Sequence, residues 1–333
     1  MPFETVGVVG AGAWGTALAV TAHKAGRRVH VLARDRHIAD SLNAGSGNPV
    51  YLPDVLLPAI PASVEPSDLA GCEIILAVVP AQFARAGLAA LRTVVAAGTP
   101  VVLCAKGIEQ GTLAMMTDVL AETLPDTVPA VLSGPSFAAD VANGLPTAVT
   151  LACEDHGLGR ALMEAIGRPE FRPYWTGDLV GAEIGGAVKN VLAIACGMAE
   201  GLGLGRSAHA ALMTRGFAEM KRLAVAMGGS AETVSGLCGL GDLVLTCSST
   251  QSRNMSFGKA LGEGRTAGDV LSERRAVTEG AATAPALAAL AKRHGTDMPI
   301  CEAVAQILQE EVTVSDAVQS LLARPFRVEG DGS

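Results

Sequence analysis

Short apolar runs alternate with longer amphipathic stretches through the first half of the chain. Runs rich in Val, Ile and Leu occur at residues 5–9, 29–33, 74–79 and 100–105. Between them, residues 13–25 and 82–96 carry apolar side chains every three or four positions, which predicts helices. This alternation is typical of a doubly wound parallel sheet, and residues 148–153 and 171–175 are candidates for further strands.

The second half of the chain has a different pattern. Residues 180–200 and 208–227 have helical periodicity, with glycine-rich breaks around them. We therefore predict an α/β protein with a Rossmann-type domain at residues 1–182 and an all-helical domain at residues 183–333. The apolar runs, such as residues 191–199, are shorter than the roughly 18 to 20 residues that span a bilayer, so no membrane insertion is expected.

Composition and charge exclude several classes of protein. The 333 residues are 49% hydrophobic and 17% charged, with a formal net charge of -8, which suits a soluble globular protein. No concentrated Lys/Arg stripe is visible, so we expect no nucleic-acid partner. The seven cysteines include no C-x-x-C pair, and the six histidines have no metal-ligand spacing. With no signal peptide at the start, these features predict a reduced, cytoplasmic protein without a metal.

Residues 10–15, GAGAWG, match the G-x-G-x-x-G pattern between a predicted strand and a predicted helix. In that context Gly10 permits a tight turn, Gly12 lets the backbone approach a pyrophosphate, and Gly15 allows the helix to pack closely on the strand. The N–H groups and the dipole at the helix N-terminus favour the same anion. An empty structural turn is the alternative, but the context predicts dinucleotide binding.

Arg34 follows the second predicted strand, at the position where dehydrogenases recognise the ribose of the cofactor. An arginine there can make charge-assisted hydrogen bonds to a 2′-phosphate, worth roughly 1.5 to 3 kcal/mol. NADP is therefore the preferred cofactor in this prediction. NAD is the alternative, if Asp35 binds the ribose and Arg34 is a solvated surface side chain.

Lys189 is a single cation within an almost uncharged stretch of predicted helix. A solvated helix face normally carries several charges, so this lysine is expected to point into a cleft, where it is suited to proton transfer. A structural lysine whose stem crosses an apolar surface is the alternative.

Three further segments carry polar side chains at turns or strand ends. Residues 251–254, Gln-Ser-Arg-Asn, precede a predicted helix and suit a phosphate, although a Ser cap with exposed polar neighbours explains them equally well. Lys106 follows a strand at the sheet edge where substrate and nicotinamide bind, unless it is an ordinary surface lysine. Residues 134–138 resemble a nucleophile elbow without its final glycine, but no Asp and His follow in a suitable order, so Ser136 is interpreted as a hydrogen-bond donor.

Six motifs, in this order, resemble the bacterial type of NAD(P)-dependent glycerol-3-phosphate dehydrogenase over nearly the whole chain. They are GAGAWGTALA at 10–19, KGIE at 106–109, LSGPSFA at 132–138, GAVKN at 186–190, GLGDL at 239–243 and SRN at 252–254. The resemblance implies that the helical domain binds the substrate and carries catalysis. Its small, apolar residues are compatible with a homodimer.

The roles of individual residues follow from the resemblance. It implies that Lys189 is the proton donor and acceptor at the substrate C2 oxygen, and that Arg253 and Asn254 hold the substrate phosphate. The implied substrate-binding residues are Lys106, Gly134, Ser136, Asp242, Ser252, Arg253 and Asn254. The implied cofactor contacts, beyond Gly10, Gly12 and Gly15, are Ala13, Trp14, Arg34, Lys106, Ala138, Arg253, Val277 and Glu279.

The implied reaction is reversible hydride transfer between NAD(P)H and dihydroxyacetone phosphate, a small phosphorylated substrate, to give sn-glycerol 3-phosphate for glycerophospholipid synthesis. Arg206 and Ser207 depart from the Asp-Asn that the family usually has, which affects local loop geometry, cofactor affinity or regulation more than the reaction. One alternative is a β-hydroxyacid dehydrogenase, but the asparagine typical of that group one turn after the lysine is Ala193 here. The other is a non-catalytic dinucleotide sensor, against which Lys189 argues.

Overall fold

The computed structural model describes residues 3–274 and 276–325. These residues form two compact units. The first comprises residues 3–106 and 114–183, and the second comprises residues 107–113, 184–274 and 276–325. The chain leaves the first unit after Lys106, returns to it at Ala114, and enters the second unit again after Glu183.

One mostly parallel sheet forms the centre of the first unit. In the described residues its eight strands are β1 (Thr5–Val9), β2 (Arg28–Leu32), β3 (Ala62–Ser63), β4 (Ile74–Ala77), β5 (Pro100–Leu103), β6 (Val128–Ser133), β7 (Thr147–Ala152) and β8 (Phe171–Thr176). Their spatial order is β3-β2-β1-β4-β5-β6-β7-β8. The strand order reverses at β1, so the ligand crevice of such a sheet lies at the carboxyl ends of β1 and β4.

The predicted fold class is confirmed, with one difference within the sheet. All six predicted strands are present within two residues of their expected bounds. Neighbouring strands are parallel except β6 and β7, which pair antiparallel. The connection between those two strands, residues 134–146, holds only a five-residue helix and turns the chain back antiparallel, a pairing that needs no long crossover. Both β3, which has two residues, and β6, which contains Pro129, were missed because neither has the pattern of a central strand.

Helices make up most of the remaining structure. In chain order they are α1 (Ala13–Lys24), α2 (Arg36–Asn43), α3 (Ala81–Ala89), α4 (Met116–Thr123), α5 (Ala138–Ala142), α6 (His156–Ile166), α7 (Leu179–Gly201), α8 (Gly205–Ala226), α9 (Ala231–Ser235), α10 (Asp242–Cys247), α11 (Arg253–Gly262), α12 (Ala267–Ser272), α13 (Glu279–Arg293), α14 (Pro299–Leu308) and α15 (Val314–Leu322). α3 ends seven residues before the predicted end of its helix at residue 96. The β-branched run Thr93, Val94 and Val95 disfavours a helix there.

Glycines bring α7 and α11 into backbone contact. A Cβ on Gly197 of α7 would collide with the carbonyl oxygen of Met255, and a Cβ on Gly258 of α11 would collide with that of Ile194. Only residues without side chains permit this approach, so the glycine spacing fixes where the two helices cross.

α7 is long and apolar enough to cross a membrane by length and composition alone. The apolar runs in the sequence, such as residues 191–199, did not predict this. The runs look short because Glu183 and Lys189 interrupt them in the sequence. In the structure 89% of its most apolar 18-residue window is buried inside the protein. Such burial is typical of a core helix.

Two buried glutamates accept hydrogen bonds at helix starts. Glu183 on α7 accepts from the N–H and the hydroxyl of Thr117 on α4, at 3.0 and 2.7 Å. Glu219 on α8 accepts from the N–H groups of Ile300 and Cys301 on α14, at 2.8 and 3.2 Å. Burial raises the pKa of each glutamate from 4.5 to about 7, although these hydrogen bonds oppose the shift.

Candidate active site

The glycine-rich turn connects β1 to α1. Gly10 has φ of +109°, and a Cβ there would lie 2.7 Å from the carbonyl oxygen of Val78. A Cβ on Gly15 would collide with the carbonyl oxygen of Gly10. Gly12 faces open space and, as the N-cap of α1, has no side chain to accept from the N–H groups of the first turn. The turn is closed toward the protein and open at the helix N-terminus, which fits a pyrophosphate.

Asn48 supports this turn and was missed in the sequence. Its side-chain nitrogen donates to the carbonyl oxygen of Ala11 at 2.9 Å and to the hydroxyl of Thr16 at 2.8 Å. Its side-chain oxygen accepts from the N–H of Tyr51 at 3.1 Å, and the residue is 1% exposed. A single asparagine in a loop belongs to no motif, so only the fold reveals that it holds the turn.

Arg34 is exposed just beyond the end of β2. The neighbouring Asp35 is the N-cap of α2, where its side chain accepts from the N–H of His37 at 2.9 Å. The carboxylate of Asp35 is therefore already engaged in capping a helix, whereas the guanidinium of Arg34 is open to solvent. This arrangement favours recognition of a 2′-phosphate over recognition of a ribose hydroxyl.

Lys106, Gly134 and Ser136 meet beyond the ends of β5 and β6 in the first unit. Lys106 Nζ donates to the carbonyl oxygen of Gly134 at 3.1 Å, and the hydroxyl of Ser136 donates to the same oxygen at 3.0 Å. Gly134 has φ of +147°, and a Cβ there would lie 2.9 Å from Cα of Val149, so the position requires glycine. Ala138, half-buried, is the first residue of α5.

Lys189 forms a buried ion pair in the second unit. Its Nζ lies 2.5 Å from Oδ1 of Asp242 and donates to the hydroxyl of Thr246 at 2.8 Å. Lys189 is 7% exposed and Asp242 is 0% exposed. Cys247, whose pKa is raised well above its usual value by a hydrogen bond with Cys196 and by burial, is a neutral thiol in the same environment. The ammonium is thus held in a fixed position within a buried cluster.

A π-helical turn at Leu237–Gly241 leads directly into Asp242. A Cβ on Gly239 would collide with the carbonyl oxygen of Val234, and a Cβ on Gly185 would lie 2.6 Å from that of Cys238. These contacts let the turn pack against α7, which brings Asp242 to Lys189. π-Helical turns often occur at functional sites.

The residues predicted to bind the phosphate lie at the N-terminus of α11. Ser252 caps the helix, and its hydroxyl accepts from the N–H of Met255 at 3.2 Å. The side chain of Arg253 is exposed, while its carbonyl oxygen accepts from the guanidinium of Arg274 at 2.6 Å. Asn254 is 8% exposed and hydrogen-bonds to Asn190 on α7 at 2.8 Å. The cap and the bridge to α7 hold this helix end in place.

Two predicted cofactor contacts lie at the start of α13. Val277 is 37% exposed, and Glu279 is the first residue of the helix. Thr278 between them is 4% exposed. The segment therefore alternates between accessible and buried side chains.

Comparisons with known proteins cover both units. The family model for the N-terminus of NAD-dependent glycerol-3-phosphate dehydrogenase matches residues 5–158, and the model for its C-terminus matches residues 178–319. The chain belongs to this family. A glycerol-3-phosphate dehydrogenase of Maricaulis maris, named for NAD(P)+, is 61% identical over 98% of this chain and 98% of its own. One from Caulobacter vibrioides is 60% identical over 99% of this chain and 100% of its own.

A solved structure extends the family match to the fold. The crystal structure of glycerol-3-phosphate dehydrogenase from Coxiella burnetii has a TM-score of 0.92 and 39% identity, covering 97% of this chain and 99% of the other. The family and the oxidoreductase class predicted from the six ordered motifs are confirmed. Within that family, the structure groups Lys106, Gly134 and Ser136 in the first unit and Lys189 and Asp242 in the second.

The structure adds three polar residues to these groups: Thr246 as a partner of Lys189, Asn190 as a partner of Asn254, and Asn48 under the glycine-rich turn. Thr246 and Asn48 lie outside the six motifs, and Asn190 ends the GAVKN motif but was given no role. Two of them had a sequence signal. Asn190 directly follows Lys189, and Thr246 lies one helical turn after Asp242, on the same face of α10.

Proposed function

We propose that this chain catalyses the reversible reduction of dihydroxyacetone phosphate to sn-glycerol 3-phosphate, with NADPH preferred and NADH accepted. The observation that carries the proposal is the buried ammonium of Lys189, held by Asp242 and Thr246 in a member of this family. A fixed cationic donor in a buried site stabilises the negative charge that develops on a carbonyl oxygen during reduction.

The proton transfer is assigned to Lys189. When bound, the reduced nicotinamide supplies a hydride to the substrate carbonyl carbon. Lys189 stabilises the negative charge on the C2 oxygen and transfers a proton to it from Nζ, and in the reverse direction Nζ takes the proton back. Asp242 balances the charge of the ammonium, and Thr246 restrains it from a second direction.

The phosphate of the substrate is assigned to the start of α11. Arg253 is exposed there, and the N–H groups and helix dipole favour an anion at the same end. Binding energy from the phosphate orients the carbonyl group for reaction. In the first unit, Lys106, steadied by the carbonyl of Gly134, is proposed to contact the substrate or the nicotinamide.

The preference for NADPH rests on Arg34 and Asp35. The exposed guanidinium of Arg34 suits the 2′-phosphate, whereas Asp35 is engaged as the cap of α2. The glycine-rich turn fits the pyrophosphate that NADPH and NADH share. Both cofactors should therefore bind, with the 2′-phosphate adding affinity.

The decisive experiment measures the oxidation of NADPH and of NADH by the purified protein with dihydroxyacetone phosphate as substrate. The same assay is run in parallel with carboxylic acids that carry a ketone or aldehyde group at the β position. Turnover of dihydroxyacetone phosphate with a higher kcat/KM for NADPH supports the proposal. Turnover of the carboxylated substrates instead would identify a β-hydroxyacid dehydrogenase. NADPH binding without any turnover would identify a dinucleotide sensor.

We further propose a cytoplasmic homodimer whose product feeds glycerophospholipid synthesis. The seven cysteines are all free, which suits a reducing compartment. sn-Glycerol 3-phosphate is the backbone on which glycerophospholipids are built. Analytical ultracentrifugation tests the dimer, and the lipid content of cells depleted of the enzyme tests the role of the product.

A further inference from the structure

Asn254 lies at a buried junction of three helices in the second unit. Its side-chain oxygen accepts from the N–H of Gly280 on α13 at 2.9 Å. Its side-chain nitrogen donates to the side-chain oxygen of Asn190 on α7 at 2.8 Å. Asn254 is 8% exposed and Asn190 is 5% exposed. One side chain of α11 therefore joins this helix to both α7 and α13.

The partners fix the orientation of the Asn254 amide. A backbone N–H can only donate, so the atom that faces Gly280 must be the oxygen, and the amino group must face Asn190. A phosphate accepts hydrogen bonds, so the one donor of the Asn254 side chain left for it is the second amide N–H. Much of the hydrogen-bonding capacity of this side chain is thus committed to the protein.

Gly280 packs directly against the other two helices at this junction. A Cβ there would lie 2.5 Å from the carbonyl oxygen of Asn190 and 2.8 Å from the side-chain oxygen of Asn254. The start of α13 is therefore in backbone contact with α7, one residue after Lys189. Glu279, which precedes Gly280 and begins α13, is one of the cofactor contacts that the family resemblance implies.

We infer that Asn254 is a positioning residue that couples NADPH binding to the helix of the catalytic lysine. It fixes the start of α13, with Glu279, against the part of α7 that carries Lys189. This inference rests on the proposed function and differs from a role in phosphate binding alone. A phosphate ligand affects substrate binding, whereas the junction also affects NADPH binding when no substrate is present.

The test compares binary NADPH affinity, measured by fluorescence titration without substrate, in the wild type, Asn254→Ala, Asn190→Ala and the double variant. Asn254→Ala leaves the buried N–H of Gly280 and the oxygen of Asn190 without these partners. We expect the Kd for NADPH to rise about tenfold, which corresponds to about 1.4 kcal/mol. The double variant should bind NADPH little worse than Asn254→Ala, because both single changes break the same link.

Ser252→Ala is the control, because it weakens the same end of α11 by removing its cap but leaves the bridge of Asn254 intact. Its NADPH Kd should stay within about twofold of the wild-type value, a change of less than about 0.5 kcal/mol in binding free energy. Any effect should instead fall on the KM for dihydroxyacetone phosphate. An equal loss of NADPH affinity in Ser252→Ala and Asn254→Ala would mean that fraying of α11 explains the effect and would overturn the inference. So would an unchanged NADPH Kd in Asn254→Ala with a raised substrate KM, which assigns the residue to the phosphate.

Two separate measurements, the folding of each variant and the activity of the wild type, keep other failures distinct from failure of the inference. If Asn254→Ala does not fold, the NADPH Kd of Asn190→Ala decides the matter, since this variant breaks the same hydrogen bond from α7. An unchanged Kd there would overturn the inference. If the wild type binds NADPH but does not reduce dihydroxyacetone phosphate, the proposed function fails while the binary titrations still decide the coupling.

Discussion

Replacing Lys189 by methionine tests the catalytic assignment and the energetics of the buried ion pair together. Methionine retains an unbranched apolar side chain but removes the ammonium. Asp242, which is 0% exposed, is then left without the cation that lies 2.5 Å away in the wild type. Removing one partner of a buried ion pair typically costs about 3 to 5 kcal/mol, a substantial part of the stability of a domain. Urea unfolding measures this loss directly.

The same substitution should lower kcat for dihydroxyacetone phosphate by a factor of at least about 10² to 10³, or about 3 to 4 kcal/mol of transition-state stabilisation. NADPH binding should change little, because Lys189 is not one of the predicted cofactor contacts and the substitution leaves the hydrogen bond between Asn190 and Asn254 in place. Initial rates and NADPH titrations, performed on the folded fraction, separate the two effects. Loss of NADPH binding in the variant would contradict the assigned role.

A double variant distinguishes lost chemistry from lost stability. Lys189→Met combined with Asp242→Leu removes both charges, and replacing a buried ion pair by apolar residues is often neutral or stabilising. We expect the stability to return to within about 1 kcal/mol of the wild type while kcat stays as low as in Lys189→Met. If the double variant is as unstable as Lys189→Met alone, the unpaired carboxylate is not the cause of the instability. If it regains turnover, Lys189 is not the proton donor.

Four further predictions follow from the same geometry. Arg253→Ala should raise the KM for dihydroxyacetone phosphate about 10- to 100-fold through the loss of roughly 1.5 to 3 kcal/mol of charge-assisted bonding; an unchanged KM would disprove the phosphate assignment. Arg34→Ala should lower the NADPH to NADH ratio of kcat/KM by a similar factor, and an equal change with both cofactors would argue against contact with the 2′-phosphate. Arg206 places a cation in the first turn of α8, so Arg206→Asp should stabilise the fold by about 0.3 to 1 kcal/mol in thermal unfolding, an effect that should shrink with salt. Because the pKa values of Glu183 and Glu219 rise from 4.5 to about 7 on folding, each stabilises the fold below pH 4.5 and loses that contribution as pH rises to 7. At 1.36 kcal/mol per pH unit this amounts to about 3 kcal/mol for each glutamate. The free energy of urea unfolding should therefore fall less steeply between pH 4.5 and 7 in the variants Glu183→Gln and Glu219→Gln than in the wild type, and an equally steep fall would refute the prediction.

The fold class followed from periodicity because the strands of the first unit are buried on both faces. Ile74–Ala77 and Pro100–Leu103 are buried along their whole length, so their sequences are continuous apolar runs bounded by turns. Val128–Ser133 is also a central strand, but its two first residues are only half-buried and one of them is proline. Local sequence alone does not reveal a strand whose main stabilisation comes from its neighbours in the sheet.

The chemistry of the second unit was only partly predictable. Lys189 stands out because a charge in an apolar helix has few explanations. Its partner Asp242 was found only through the family resemblance, since 53 positions separate the two residues and no periodicity links them. Thr246 was missed and Asn190 was given no role, because polar residues of their type occur throughout ordinary helices. Pairing across helices is a property of packing, which a single sequence does not display.

The glycines of the second unit explain how the family motifs encode that packing. Gly239 lies in the GLGDL motif and lets the turn before Asp242 close on Val234, while Gly185, next to the GAVKN motif, admits the same turn to α7. Gly280 allows α13 to begin against Asn190. In each case the glycine contributes no functional group. A Cβ in its place would separate the segments that carry Lys189, Asp242, Asn190 and Asn254. A change to alanine at these positions should therefore impair catalysis through the position of Lys189 and its partners, with the lysine itself intact.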